Sequence, residues 1–329
     1  MSERPLTFVA VTGAAGFIGS HLVECLVKEG VHVRALVHTN ADRRIGNLSV
    51  LPPDVLSKLD IRFIDILDAN NVQSALRSVD TVFHLAANIS IPDSTEAPML
   101  FLQTNVIGTY NVLQAVREMK DTRAVITSSS EVYGKADVNP IREDHELCAC
   151  SPYAASKIAA EKLAESYYYS FDADVVVVRP FNTYGPRQSP RSVIPGIVKQ
   201  AMESSEVTLG NVLAVRDFLF VRDTVEGMIA AATANDVQGE TFNLATGTGV
   251  SIEDLVYKIG SLIGRSLTIQ TSVSRTRATN SDVLQRIGDV EKARTKLGWS
   301  AKIGLDEGLM FVINEAKSYK QAPKAQMIS

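Results

Sequence analysis

Tyr153-Ala-Ala-Ser-Lys157 sets a phenol and an amine four residues apart, which is one face of a helix. Ser151-Pro152 just ahead is a helix start. A free tyrosine titrates near ~10. A nearby ammonium favours its phenolate and lowers that value. Together they make a general base for a secondary alcohol, although the same spacing is common on helix surfaces. The run Thr127–Gly134 supplies neighbours: Ser129 to hydrogen-bond the hydroxyl that Tyr153 deprotonates, then Ser130 and Glu131. Hydride removal from a carbinol needs no second carboxylate. Proton abstraction next to the resulting ketone does, and Glu131 has the right chemistry. The competing reading of Glu131 is a loop-edge carboxylate paired with a surface lysine. His84 reads as a packed core residue, His21 as the start of the first helix, and Tyr167–Tyr169 as helix packing.

A second constellation lies at the N-terminus. Gly13, Gly16 and Gly19 follow an apolar strand and open an amphipathic helix, with Phe17 and Ile18 inside the loop. Gly13 permits the tight turn, Gly16 a close approach to a pyrophosphate, and Gly19 close helix-to-strand packing. The helix N-terminus then offers free amides to phosphate. The spacing is three and three, not the two-then-three of the usual dinucleotide fingerprint. The second strand ends at Val37-His38, without the acidic residue that normally holds a ribose. His38 takes that position. Arg43 and Arg44 downstream suit either a 2′-phosphate or solvent, so NAD and NADP both remain open here. Asp65-Ile66 suits an adenine edge; the alternative is a helix-entry aspartate.

These residues need a scaffold, and the chain alternates two patterns that provide one. β-branched runs fall at Phe8–Thr12, Val31–Val37, Ile61–Ile64, Thr81–Leu85, Ala124–Thr127 and Asp174–Arg179. Helical spacing falls between them, at His21–Glu29, Val72–Val79, Leu102–Glu118 and Tyr153–Ser170. This predicts an α/β fold, a Rossmann-type doubly wound parallel sheet, with a smaller mixed α/β C-terminal part. The expected division is 1–179 and 180–329, with segments near 222–245 returning to the first part. Thr39–Leu59 is long for a connection, either a binding loop or a surface excursion.

The 329 residues suggest one large or two ordinary domains. With 33 basic and 37 acidic residues the net charge is −4, which argues against nucleic-acid binding. No apolar run reaches the roughly 18 residues of a membrane span. The N-terminus lacks a signal-peptide layout, so a cytoplasmic location is expected. Cys25, Cys148 and Cys150 lack zinc-site spacing and read as reduced thiols, with no metal expected.

The combination of the glycine loop, Ser129, Tyr153xxxLys157, Arg179-Pro-Phe-Asn182-Thr-Tyr-Gly-Pro186 and Arg216-Asp-Phe-Leu-Phe-Val-Arg-Asp223 resembles the extended short-chain dehydrogenase/reductases that act on nucleotide sugars. Leu85-Ala86-Ala87, Thr104-Asn105 and Lys296-Leu-Gly-Trp299 match as well. Within the family the chain is most similar to NAD-dependent 4,6-dehydratases, especially those acting on N-acetylhexosamine nucleotides in nonulosonate pathways. The resemblance implies retained NAD, with Leu85, Ala86 and Ala87 along it. It makes Tyr153 the base, Lys157 its partner and Ser129 the hydroxyl-binding residue. It places Asn182, Arg216 and Arg277 on the nucleotide-diphosphate sugar. It also implies a homodimer through a four-helix bundle. Many 4,6-dehydratases have Asp then Glu after the catalytic hydroxyl residue, whereas this chain has Ser130-Glu131. That pair resembles GDP-mannose dehydratases and also UDP-glucuronate decarboxylases. Two alternatives therefore stand. One is decarboxylation or C4 epimerisation, which for a uronate needs a cation that sequence does not place. The other is a non-catalytic dinucleotide sensor, which predicts loss of Tyr153 or Lys157.

Overall fold

A computed structural model describes residues 4–119, 121–136, 138–272 and 283–321. Among the described residues thirteen strands run in chain order: β1 Phe8–Thr12, β2 His32–His38, β3 Asp60–Ile64, β4 Thr81–His84, β5 Arg123–Thr127, β6 Val175–Pro180, β7 Asn182–Tyr184, β8 Glu206–Leu209, β9 Val215–Phe220, β10 Thr241–Leu244, β11 Gly249–Ser251, β12 Thr268–Thr271 and β13 Gln285–Arg286. Seven form the central sheet, in the order β10-β6-β5-β4-β1-β2-β3. Every pairing in it is parallel. The alternation that writes such a sheet is visible in β1: Val9 and Val11 enter one apolar cluster, Ala10 the opposite one. Helices Phe17–Lys28 and Val221–Thr233 cover the first face. Ala69–Leu76, Gly108–Arg117 and Pro152–Phe171 cover the second. The strand order reverses between β1 and β4, and ligands in such sheets bind at the carboxyl ends beside that point.

β10 is an edge of the central sheet, with Asn243 in register with Arg179. Helix Val221–Thr233 is tied to β5 by Arg123, whose Nη1 donates to Ala232 O at 3.1 Å while its Nε donates to Asp174 Oδ1 at 2.8 Å. A cation on the last carbonyls of a helix also opposes its dipole. The remaining strands make two small sheets, β11-β9-β13 with β7 alongside β9, and β12-β8. They enclose a separate core of Tyr184, Ile197, Phe218, Leu255 and Ile313.

Three expectations need correcting. Gly16, in extended conformation, is the N-cap of the first helix, so the helix begins at Phe17 and His21 lies in its second turn. Leu102–Glu118 is not one continuous α-helix: Leu102–Ile107 forms a π-turn before Gly108–Arg117. The extra residue turns Asn105 inward, where its amide donates to Ser156 Oγ and Asn88 O. Tyr167 is packed, but Tyr169 is exposed. The long connection after β2 folds onto the glycine loop, with Leu48 buried and Asn47 N donating to Ala15 O at 3.0 Å. Among the described residues no helix is long and apolar enough to cross a membrane.

Candidate active site

The glycine turn is shaped by close approach. Gly13 has φ +67°, and a Cβ there would lie 2.8 Å from Ala86 N. A Cβ at Gly19 would lie 2.2 Å from Gly13 O. Only glycine fits both positions. Gly16 caps the helix without a side chain, so the amides of its first turn stay uncovered. Leu85 N and Ala86 N both donate to Thr12 Oγ1, which fixes the chain leaving β4 beside that turn. Phe17 and Ile18 reach across to the core of the C-terminal part. This cradle fits the pyrophosphate of a dinucleotide. His38 stands exposed at the end of β2. Asp65 accepts from Leu67 N at 2.9 Å, closing a turn; Asp68, not Asp65, caps the following helix. Ile66 is buried against Gly108. Arg44 pairs with Asp42 in solvent, and Arg43 is exposed over the Phe63 ring.

The helix Pro152–Phe171 is well started. Ser151 Oγ accepts from Ala154 N at 3.1 Å, and Pro152 occupies the first turn, where its missing N–H is not needed. Tyr153 and Lys157 are each only 6% exposed. Lys157 Nζ donates to Thr127 O at 2.9 Å, at the carboxyl end of β5. Burial pushes the Lys157 ammonium down to about 8, against the opposing charge of Glu161 one turn further on. The tyrosine does not follow the expectation of a lowered value. Burial pushes the Tyr153 phenol up to about 12, and the Glu131 charge adds to this; a hydrogen bond with Ser129 and the charge of Arg286 work the other way. Desolvation outweighs these two groups in the protein alone.

Ser129 also caps the short 3-10 turn Ser130–Tyr133, accepting from Glu131 N at 3.2 Å. Ser130 is buried at its start. Glu131 does not pair with a surface lysine. Its Oε1 meets Arg286 Nη1 at 2.5 Å, and Arg286 is fully buried. Among the described residues, Arg286 Nε and Nη2 have no hydrogen-bond partner. Arg286 stands on β13 in register with Arg216 on the neighbouring parallel strand β9. The two cations therefore share a neighbourhood. Arg216 Nη1 donates to Val215 O at 2.9 Å. Asn182 on β7 has a buried Oδ1 without a partner among the described residues. Arg277 lies outside the described residues. His84 is core: its ring bridges Thr12 and Thr109, and burial lowers it to about 3. The three cysteines are free thiols, with Cys148 and Cys150 Sγ 3.9 Å apart.

Sequence reasoning missed Arg286. It sits in Gln285-Arg286-Ile287-Gly288 with no chemical spacing to flag it. It also gave no role to Asp217, whose buried carboxylate accepts from Gly288 N at 3.2 Å and so anchors the segment carrying Arg286. In that case a signal existed, since Asp217 follows Arg216 directly.

A doubly wound sheet with an uncapped glycine turn, a buried Tyr-Lys pair and a serine facing the phenol defines a short-chain dehydrogenase/reductase. The family model described as GDP-mannose 4,6 dehydratase matches residues 10–311. The chain belongs to the extended family of nucleotide-sugar epimerases and dehydratases. It is 32% identical to a UDP-glucose 4-epimerase of Mycolicibacterium smegmatis, over 91% of this chain and 95% of that one. It is 32% identical to UDP-glucuronic acid decarboxylase 1 of Arabidopsis thaliana, over 94% of this chain and 70% of that one. A UDP-glucuronic acid 4-epimerase from Bacillus cereus, solved with UDP-glucuronic acid and NAD, superposes with a TM-score of 0.85 at 30% identity, covering 95% of this chain and all of that one.

Proposed function

We propose that the protein is an NAD-dependent nucleotide-sugar 4,6-dehydratase. The observation that carries the reading is the carboxylate of Glu131, held by a buried arginine beside Tyr153 and Ser129. NAD, seated on Gly13, Gly16, Phe17, Ile18 and Gly19 with Leu85–Ala87, His38, Asp65 and Ile66 along its length, takes a hydride from C4 and returns it to C6. Tyr153 accepts the proton of the C4 hydroxyl, and Ser129 orients that hydroxyl. Lys157 holds the cofactor ribose and keeps a positive charge near the phenol. The 4-ketone acidifies C5–H. Glu131 removes that proton and passes it to the departing C6 hydroxyl, which leaves as water; Ser130 lines the same turn. C5 regains a proton as C6 receives the hydride, and the proton Tyr153 took from O4 closes the count. Arg216 and Arg277 hold the diphosphate, for which a guanidinium fork is suited, and Asn182 contacts the sugar or its diphosphate. Residues 1–179 thus serve the cofactor and 180–329 the sugar nucleotide, and two copies pair through Leu102–Glu118 and Tyr153–Ser170. Glu131→Gln tests the reading: it should still oxidise C4, leaving reduced cofactor, but release no water and exchange no C5 proton. Full turnover by that variant contradicts it.

A second reading is favoured by Nε and Nη2 of Arg286, which have no partner among the described residues. They suit a C6 carboxylate, and the decarboxylase and uronate epimerase among the relatives have names that fit such a substrate. The same C4 oxidation of a uronate makes a β-keto acid, which loses carbon dioxide or is turned over and reduced as the C4 epimer.

A further inference from the structure

We propose that Arg179 is a positioning residue, setting the separation between the helix that carries Tyr153 and Lys157 and the turn that carries Ser130 and Glu131. The inference rests on the site reading above. Arg179 stands on β6, 5% exposed. Its Nε and Nη2 clasp the two oxygens of Glu161 at 2.9 and 2.7 Å. Glu161 lies one turn beyond Lys157 and two beyond Tyr153, on the same face. The third nitrogen points elsewhere. Nη1 donates to the Tyr133 hydroxyl at 2.8 Å and to Glu143 O at 2.9 Å. Tyr133 is fully buried and ends the Ser130–Tyr133 turn, two residues after Glu131. Its hydroxyl donates to Asn243 Oδ1 at 2.6 Å, on the strand next to Arg179. Asn243 in turn donates from its backbone to Glu143 Oε1 at 2.8 Å and from its side chain to Ile141 O at 2.9 Å.

One rigid, planar cation on a strand of the sheet therefore grips both catalytic segments. The fixed angles of the guanidinium fork hold the two grips in one relation, which a flexible lysine does not reproduce. Stability alone is a poor reason for such a buried pair, since an apolar replacement is often as stable. The bond to Tyr133 gives it a second task. A pair serving only the helix would need Glu161 and nothing on the turn.

The test uses full-length protein with NAD and whichever UDP-, GDP- or dTDP-hexose or uronate the wild type converts. Arg179→Lys should keep KM within about threefold while kcat falls roughly 100-fold, the effect of an error of about 1 Å in placing reacting groups. Tyr133→Phe removes the hydroxyl that Arg179 and Asn243 share and leaves the Arg179–Glu161 clasp in place. It should leave C4 oxidation near wild type and slow the later step, so that reduced cofactor accumulates in a single turnover. Crystal structures of both variants with NAD should show the Glu131 carboxylate displaced from the Tyr153 hydroxyl relative to wild type. Lower melting temperatures with unchanged kcat and an unmoved Glu131 would overturn the proposal. A wild type inactive on every sugar would reject the site reading instead, and the displacement of Glu131 would still decide the role of Arg179.

Discussion

Arg179 and Arg286 are both buried, and each is paired with a glutamate, yet their surroundings differ. Every nitrogen of Arg179 has a partner: Glu161, Tyr133 or the Glu143 carbonyl. Arg286 satisfies one nitrogen on Glu131, and its other two have no partner among the described residues. A buried donor without a partner loses its water and gains nothing in return. Folding tolerates such a group where a ligand completes it. The saturated arginine therefore belongs to the frame, and the half-saturated one to the site. The difference follows from position: Arg179 lies within the continuous central sheet, whereas Arg286 ends a two-residue strand that exists only by pairing with β9.

This contrast breaks most easily at Arg286. Arg286→Met should lower turnover roughly 1,000-fold, the range for removing one donor aimed at developing charge. It should lower unfolding free energy by less than Arg179→Met does, because two of its three nitrogens have no partner among the described residues and the Glu131 it leaves behind is partly exposed. Denaturant unfolding and steady-state kinetics on the same preparation separate the two effects. Arg179→Met should do the reverse in kind, destabilising by about 3–5 kcal/mol because Glu161 is left buried and unpaired. An Arg179→Met protein as stable as wild type would erase the distinction.

Lys157 sharpens the comparison from the other side. Its folded value of about 8 lies below the unfolded 10.5, so the unfolded chain binds more protons between those values. Stability therefore rises with pH through that window, and the penalty is fully present below about 8. Lys157→Met should abolish activity yet stabilise the protein by up to about 3 kcal/mol at neutral pH, with the gain shrinking from pH 8 to 10.5. Melting curves across that range check it; a constant gap would show that packing, not charge, is responsible. The smallest effect belongs to Ser151→Ala, which removes the helix cap ahead of Tyr153 and should lower stability by about 1 kcal/mol.

Much of the fold could be read in advance because its signals are local. The β-branched runs of the first six sheet strands, the glycine turn and the Ser-Pro start before Tyr153 each state their structure within a few residues. The π-turn at Leu102–Ile107 was not legible, because the bond that orients Asn105 comes from Ser156, fifty-one residues away. Arg286 was hidden for the same reason. Its strand is two residues long, its partner Glu131 lies 155 residues earlier, and no spacing rule spans such a distance. The behaviour of Tyr153 was misjudged because a sequence displays neighbours but not the loss of water, and burial was the larger influence.

The central claim is that a carboxylate on a buried arginine turns C4 oxidation into loss of water. It is tested by incubating the purified protein with UDP-, GDP- and dTDP-hexoses and with UDP-glucuronate, and weighing the products. One water lost from a neutral hexose nucleotide, with C5 deuterated in heavy water, is the predicted result. Unchanged hexose nucleotides, together with carbon dioxide or a C4 epimer from the uronate, would contradict it and assign Arg286 to the carboxylate of the sugar.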